Sequence, residues 1–293
     1  MKTINNGFVS EKTMPTHGVL YVVATPIGNL DDITFRAIET LKAVDLIACE
    51  DTRVSRVLLD TWNVSTSMLS LHRFNETRKT SVILDHLRKG SNVALISDAG
   101  TPNISDPGYR LVRSAMDEGF RVVPIPGPSS VVAALSVSGI DGSSFVFMGF
   151  SPKKKSALEQ FFQTVSHEGR TAIFLDTARR IMKTLEIAVR IIPSRRMTLA
   201  RELTKKFEEI ISGEPASIFE RFNQRQNIKG EFVVIVEPAK VQLDLDVDSI
   251  VRGLIREGYS GKALADEART RFGVSKSVAY SRFLSLKESS SSL

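Results

Sequence analysis

The chain has 293 residues, 42% of them hydrophobic and 25% charged, which describes a globular protein with a sizeable buried core and room for two domains. No apolar run approaches the roughly 20 residues of a membrane helix, which argues against a spanning role, and the single cysteine, Cys49, leaves no intrachain disulfide and no cysteine-rich metal site. The formal net charge of +6 suits a polyanionic partner.

Residues 1–17 carry two lysines, no arginine and no continuous apolar stretch, so they read as a flexible leader and not as a targeting peptide. The first strand is expected at 19–24. It is followed by a turn-rich loop, Thr25-Pro26-Ile27-Gly28-Asn29-Leu30-Asp31-Asp32. A helix is expected over Ile33 to Leu41 from its apolar spacing, with Asp31 and Asp32 available to cap it. A strand at 45–49 ends in Cys49, read as a small buried hydrophobe and not as a nucleophile.

The strand at 93–97 runs into the most unusual stretch of the chain, Ser97 to Gly108, SDAGTPNISDPG, with two Gly, two Pro and two Asp. A loop of that kind at the carboxyl end of a strand is where open α/β sheets bind ligands. Tyr109 to Gly119 is helical by pattern and closes on a glycine. A strand at 121–125 leads to a third loop, Pro124-Ile125-Pro126-Gly127-Pro128-Ser129-Ser130, and a small-residue helix over Ser129 to Ser138. Three such loops in one topological position predict one shared cleft.

Further strands are expected at 145–150, 171–176, 196–200 and 231–237, giving an α/β chain with mostly parallel pairing. Basic clusters at Lys153-Lys154-Lys155, Arg179-Arg180, Arg195-Arg196 and Lys205-Lys206 are each compatible with a solvated face; together they favour nucleic-acid contact. Leu243 to Asp246 reads as a linker or edge strand. Helical pieces over Val247 to Leu286, broken at Gly258-Gly261 and Gly273-Ser275, have helix-turn-helix spacing, and either a packing extension or a nucleic-acid module fits it. The serine run after 288 reads as a disordered tail. The expected organisation is therefore 1–17, 18–127, 128–239, 240–288 and 289–293. The four histidines show no metal-pair spacing, and no metal is expected.

The strings TPIGNLDDITFRA (25–37), EDTR (50–53), SDAGTPNISDPGY (97–109), PIPGPSS (124–130), GFSPKKKS (149–156) and RELTKKFEE (201–209) resemble the tetrapyrrole methylase superfamily of S-adenosylmethionine enzymes. Within it they are similar to the ribosomal RNA small subunit methyltransferase I family, which methylates a cytidine ribose 2′-hydroxyl in the decoding region of 16S rRNA. The resemblance implies two α/β domains of the tetrapyrrole methylase type with a cleft between them, plus the C-terminal helical appendage. It also implies S-adenosyl-L-methionine as cofactor, a homodimer, 16S rRNA or the 30S subunit as partner, and a cytoplasmic location.

By position, the resemblance places Ile27, Ala99, Gly100, Thr101, Ile104, Ser129 and Ser130 at the methyl donor. The residue chemistry is compatible: Gly100 lets backbone approach a ligand, and Ser129 and Ser130 offer hydroxyls and amides to a carboxylate. Methyl transfer to a ribose hydroxyl is an in-line displacement helped by a base or by a cation near the forming alkoxide. Asn29, Glu50, Asp51 and Asp98 are candidates for the proton, and Lys205 or Arg53 for the electrostatic part, although Asp51 with Arg53 is equally a local pair. RNA contact is expected from Arg53, Arg56, His72, Arg73, Asn75, Arg78, Lys153, Lys154, Lys155 and Arg180. Phe74 is either a base-stacking residue or a core residue.

Two departures from the family pattern stand out. Leu175-Asp176-Thr177-Ala178-Arg179-Arg180 replaces a Tyr-Glu-Ser-Pro-His-Arg string that lies near the adenosine, and Leu71 replaces a Tyr before His72. The alternatives to an RNA methyltransferase are a tetrapyrrole C-methyltransferase and an inactive RNA-binding ribosome-assembly protein.

Overall fold

The computed structural model describes residues 17–239 and 247–290, with side chains of the last helix as far as Lys287. The leader before His17, the Leu243–Asp246 linker and residues 291–293 lie outside the described residues. The chain divides into a compact unit ending at Ala239 and a second one beginning at Lys240.

The first unit holds two five-stranded sheets. Strands β1 (Val19–Val23), β2 (Leu46–Cys49), β3 (Met68–Ser70), β4 (Val93–Leu95) and β5 (Arg121–Ile125) form the first, in the order β3-β2-β4-β1-β5. Every pairing in it is parallel. Parallel strands need crossovers that cover both faces, and their burial follows from that. Helices α1 (Phe35–Ala43) and α2 (Thr52–Thr61) contribute Ile38, Leu41, Leu58 and Leu59 to one face. Helices α3 (Glu76–Arg88) and α4 (Tyr109–Asp117) contribute Ile83, Leu87, Leu111 and Ala115 to the other.

Strands β6 (Phe145–Phe150), β7 (Thr171–Thr177), β8 (Met197–Arg201), β9 (Glu209–Gly213) and β10 (Glu231–Val236) form the second sheet, in the order β6-β7-β10-β8-β9. Here β6 and β7 are parallel, while β7-β10, β10-β8 and β8-β9 are antiparallel. The expectation of mostly parallel pairing thus describes the first sheet and not the second. The direct return from β8 to β9 is a hairpin, which only antiparallel strands allow.

Helices α6 (Lys155–His167), α7 (Ile181–Ile191) and α8 (Pro215–Asn223) cover one face of the second sheet. Phe162, Phe174, Phe222 and Phe232 are fully buried there, and truncating any one to Ala costs about 3–5 kcal/mol. The opposite face receives α5 (Ser130–Ser136) through Val131 and Ala134, and Ile27 of the first half packs on the same cluster.

Two local expectations change. Asp31 and Asp32 do not cap a helix; they belong to a 3-10 turn, Leu30–Asp32, whose cap is Asn29. Helix α1 starts later and is capped by Thr34, whose Oγ1 accepts the Ala37 N–H at 3.1 Å. Strands β3 and β9 were not among the eight expected.

The second unit consists of α9 (Val247–Arg256), α10 (Gly261–Phe272) and α11 (Lys276–Ser290) around Val251, Leu254, Leu264, Ala268 and Ala279. The breaks fall at the expected glycines, with Gly273 left-handed after α10. Helix α11 runs through Ser289 and Ser290, so the start of the expected tail is helical.

Candidate active site

The carboxyl ends of β1, β4 and β5 bring their three loops together. Thr25 N–H donates to Gly100 O at 2.9 Å and Gly100 N–H returns to Thr25 O at 3.0 Å. Thr25 Oγ1 donates to Ser97 O at 3.0 Å, and Thr101 Oγ1 donates to Pro128 O at 3.2 Å. Gly100 has φ +82, and a Cβ there would lie 3.3 Å from Ile27 Cγ2, so a side chain would be strained and would crowd the first loop. Asn103 and Ser105 are also left-handed, at φ 71 and 70, without being glycine. Such conformations persist only where the surroundings impose them, and they cluster at working sites.

Facing these loops is the β8–β9 turn, where Glu202 and Thr204 are left-handed as well, at φ 50 and 63. Gly28 lets it come close: a Cβ there would sit 2.5 Å from Lys205 Cγ and 2.8 Å from Leu203 O. Between the two walls lies a cleft of about 260 Å³. Ile27, Ala99, Ile104, Ser105 and Asp106 line it from the first half. Ser130, Phe150, Leu175, Asp176, Thr177, Ala200, Glu202, Leu203, Lys205, Glu231, Phe232 and Val233 line it from the second.

Four carboxylates and one lysine line this cleft. On the second-half wall they are paired. Lys205 Nζ donates to Glu202 Oε1 at 2.9 Å and to Glu231 Oε2 at 3.0 Å. Burial works against the Lys205 charge, but these bonds outweigh it and hold the ammonium above its usual range. Asp176, 1% exposed, accepts from Thr177 N–H at 2.7 Å, Thr184 Oγ1 at 2.5 Å and Arg180 Nε at 3.1 Å.

The first-half wall differs. Burial raises the Asp106 carboxyl above the ordinary aspartate range, against a hydrogen bond from Ser97, and the Asp98 charge adds to the rise. Glu50 and Asp98 are raised too, again chiefly by burial; Asp106 and Asp98 press on Glu50, and Asp51 on Asp98. These acids sense one another across the ends of β2 and β4.

A second, larger groove of about 1060 Å³ adjoins the cleft and shares Ser105, Phe150 and Thr177 with it. Its other lining residues are Arg73, Lys153, Ala178, Arg179, Arg180 and Gly230, so among the described residues four cations and no carboxylate line it. The replaced 175–180 segment forms the ridge between the two cavities.

The expected donor residues Ile27, Ala99, Ile104 and Ser130 line the cleft, while Gly100 and Thr101 lock the loops behind it and Ser129 caps α5. Of the expected catalytic residues, Lys205 lines the cleft. Asn29 is committed to its turn, accepting Asp31 N–H at 3.2 Å. Glu50 lines neither cavity, and Asp98 accepts Asp51 N–H at 3.0 Å beside a separate groove with Arg53. Asp51 caps α2 and pairs with Arg53 at 2.6 Å, which lowers its carboxyl to about 2.

Among expected RNA contacts, Arg73, Lys153 and Arg180 line the basic groove. Lys154 caps α6, Lys155 begins it, and Arg56 faces Asp60 at 3.8 Å. Asn75 is structural, since its side chain accepts His72 N–H at 2.9 Å and donates to Ser70 O at 3.2 Å. Phe74 is 95% exposed and so is not a core residue, whereas Leu71 is buried. Cys49 is buried, with a raised thiol caused by burial. Asp106, Phe150, Glu202 and Glu231 line the cleft without having been assigned to it from sequence.

The chain belongs to the tetrapyrrole (corrin/porphyrin) methylase family, whose pattern matches residues 19–218. It is 44% identical to a protein of Mesorhizobium japonicum named ribosomal RNA small subunit methyltransferase I, over 94% of this chain and 95% of that one. A protein of the same name from Escherichia coli O157:H7 is 42% identical, over 90% and 94%. The fold is similar to the native form of uroporphyrin III C-methyl transferase from Thermus thermophilus, with a TM-score of 0.52 at 16% identity over 75% of this chain and 97% of that one. The chain is accordingly a methyltransferase.

Proposed function

We propose that this enzyme transfers the methyl group of S-adenosyl-L-methionine to the 2′-hydroxyl of a cytidine in the decoding region of 16S rRNA, in the cytoplasm and as a homodimer. The observation that carries the reading is the junction of two cavities of opposite character: a cleft lined by four carboxylates and one lysine opens at Ser105, Phe150 and Thr177 into a groove lined by four cations. A cationic sulfonium suits the first, and a phosphate backbone suits the second.

The donor fits the residues present. Ile27, Ala99, Ile104 and Ser130 would hold it, with Gly100, Thr101 and Ser129 fixing the loops that carry them, and in the facing β8–β9 turn Thr204 Oγ1 is a buried hydroxyl without a hydrogen-bond partner among the described residues. When bound, the donor supplies an electrophilic methyl group on positively charged sulfur. The protein positions the acceptor and excludes water, which is where most of the rate of an in-line displacement arises. Arg73, Lys153, Arg179 and Arg180 hold phosphates and set the register of the strand. Exposed Phe74, next to Arg73, offers a stacking face for an unpaired base. Residues 18–127 thus carry the first two donor loops and the start of the third, 128–239 supply Ser129 and Ser130 and close the cleft, and the helices from Val247 onward form a further module.

The test is transfer of labelled methyl from S-adenosyl-L-methionine to unmodified 30S subunits and to protein-free 16S rRNA, followed by nucleoside analysis. Label in 2′-O-methylcytidine supports the reading. Absence of label in both substrates, with donor binding intact by calorimetry, overturns it and makes tetrapyrroles the next acceptors to try.

A further inference from the structure

A ribose hydroxyl is a weak nucleophile at neutral pH, so the acceptor proton needs a destination. The cleft offers four carboxylates, and three are engaged: Glu202 and Glu231 with Lys205, and Asp176 with Arg180. Asp106 alone among them has no cation in hydrogen-bond reach among the described residues; its neighbours are the Ser97 hydroxyl and the Asp98 carboxylate. It lines the cleft next to Ser105, which lines both the cleft and the basic groove. The loop holding it is forced into left-handed backbone at Asn103 and Ser105, which fixes the carboxylate's place.

We propose that Asp106 is the general base that takes the proton from the acceptor hydroxyl, a role that rests on the RNA-methylating reading above. The O–H bond of the ribose breaks and its proton passes to the Asp106 carboxylate. The oxygen bonds the methyl carbon, the donor's carbon–sulfur bond breaks, and that electron pair remains on sulfur. The proton then leaves to water.

Alternative bases fit less well. Asp98 is held by Asp51 N–H and lines a different groove, and Glu50 lines neither cavity and faces Arg73. Burial and the Asp98 charge raise the Asp106 carboxyl, which makes it a better proton acceptor than an ordinary aspartate. The charged groups around it are Asp98 and Glu50 on the strand ends, Glu202, Lys205, Glu231 and Asp176 across the cleft, and Arg73 and Lys153 in the groove.

The experiment is single-turnover transfer to 30S subunits by wild type, Asp106→Asn and Asp106→Glu from pH 4.5 to 9. Donor and RNA affinities and a carboxyl-carbon NMR titration of the folded protein are measured alongside. The expected result is a rate loss of about 10²–10⁴-fold for Asp106→Asn with both affinities within about threefold, and partial recovery in Asp106→Glu. The wild-type rate should rise with pH over the range in which the Asp106 resonance, assigned by its disappearance in either variant, titrates. Transfer by Asp106→Asn within threefold of wild type, or a rate that ignores that titration, overturns the proposal alone. No transfer to RNA by wild type overturns the function reading, and this role with it.

Discussion

The two walls of the cleft handle charge in opposite ways. The second-half wall engages every acid with a base, Glu202 and Glu231 sharing Lys205 and Asp176 taking Arg180, so its negative charge is largely compensated. The first-half wall leaves half-buried Asp106 without a base, and the charges of half-buried Glu50 and exposed Asp98, which lie outside the cleft at the ends of β2 and β4, act with it so that all three carboxyls are raised. A paired wall is suited to holding a ligand in place. An unpaired one carries destabilising charge that folding alone does not require, and perturbed acids of that kind mark where proton chemistry happens.

The sharpest way to break this contrast is to fill the cleft from the loop side. Gly100→Arg puts a side chain on a φ of +82 with Ile27 3.3 Å away, so donor affinity should fall more than about 100-fold while the fold survives. Calorimetry with S-adenosyl-L-methionine, beside a thermal melt, reads it; unchanged affinity in a folded variant would place the donor elsewhere. Next in size is the paired wall itself. Asp176→Ala strands the partly buried Arg180 and removes the acceptor of Thr184 Oγ1, so urea denaturation should show a loss of about 3–5 kcal/mol. A loss below about 1 kcal/mol would mean that the pair merely decorates the ridge.

A smaller effect tests the basic groove that joins the two walls. Lys153→Glu with Lys154→Glu should weaken RNA binding and lower the salt slope by about one or two, without altering donor affinity. An unchanged slope would reduce the cluster to a solvated helix start.

Much of this arrangement was legible in the chain, for identifiable reasons. Short Val- and Ile-rich runs marked eight strands, and Gly-Pro-Asp clusters marked the three loops, because both signals are local. Strand β3 escaped because Met68-Leu69-Ser70 carries no β-branched residue, and β9 because only Ile211 of its five residues is buried. The antiparallel pairings of the second sheet escaped because β10 inserts between β7 and β8, a long-range choice without a local sign. The same limit applied to the acids. Asn29 and Asp98 have the right chemistry for catalysis, but the structure gives them Asp31 N–H and Asp51 N–H as partners. Asp106 was visible only as one of the two Asp in the Ser97–Gly108 loop. Its isolation became apparent only once Lys205 and Arg180 were seen to serve other carboxylates.

The smallest effect separates two neighbours. Glu50 is raised above its ordinary value, first by burial and then by Asp106 and Asp98, so the folded state holds its proton more tightly than the unfolded chain. Its contribution to stability is full below the ordinary glutamate range and is lost as pH rises through the raised value. Asp51 is lowered to about 2, first by its side-chain hydrogen bond to Arg53, so its contribution is present above the ordinary aspartate range and is lost as pH falls toward 2. Glu50→Gln should therefore raise the melting temperature at pH 7.5 by about 1–2 °C, with the gain vanishing below about pH 4. Asp51→Asn should lower it at pH 7.5, with the deficit closing as pH falls toward 2. Melting curves from pH 2.5 to 7.5 for the two variants read both signs. No rise for Glu50→Gln at pH 7.5 would mean that the crowded acids carry no electrostatic strain, and the contrast between the walls would then rest on shape alone.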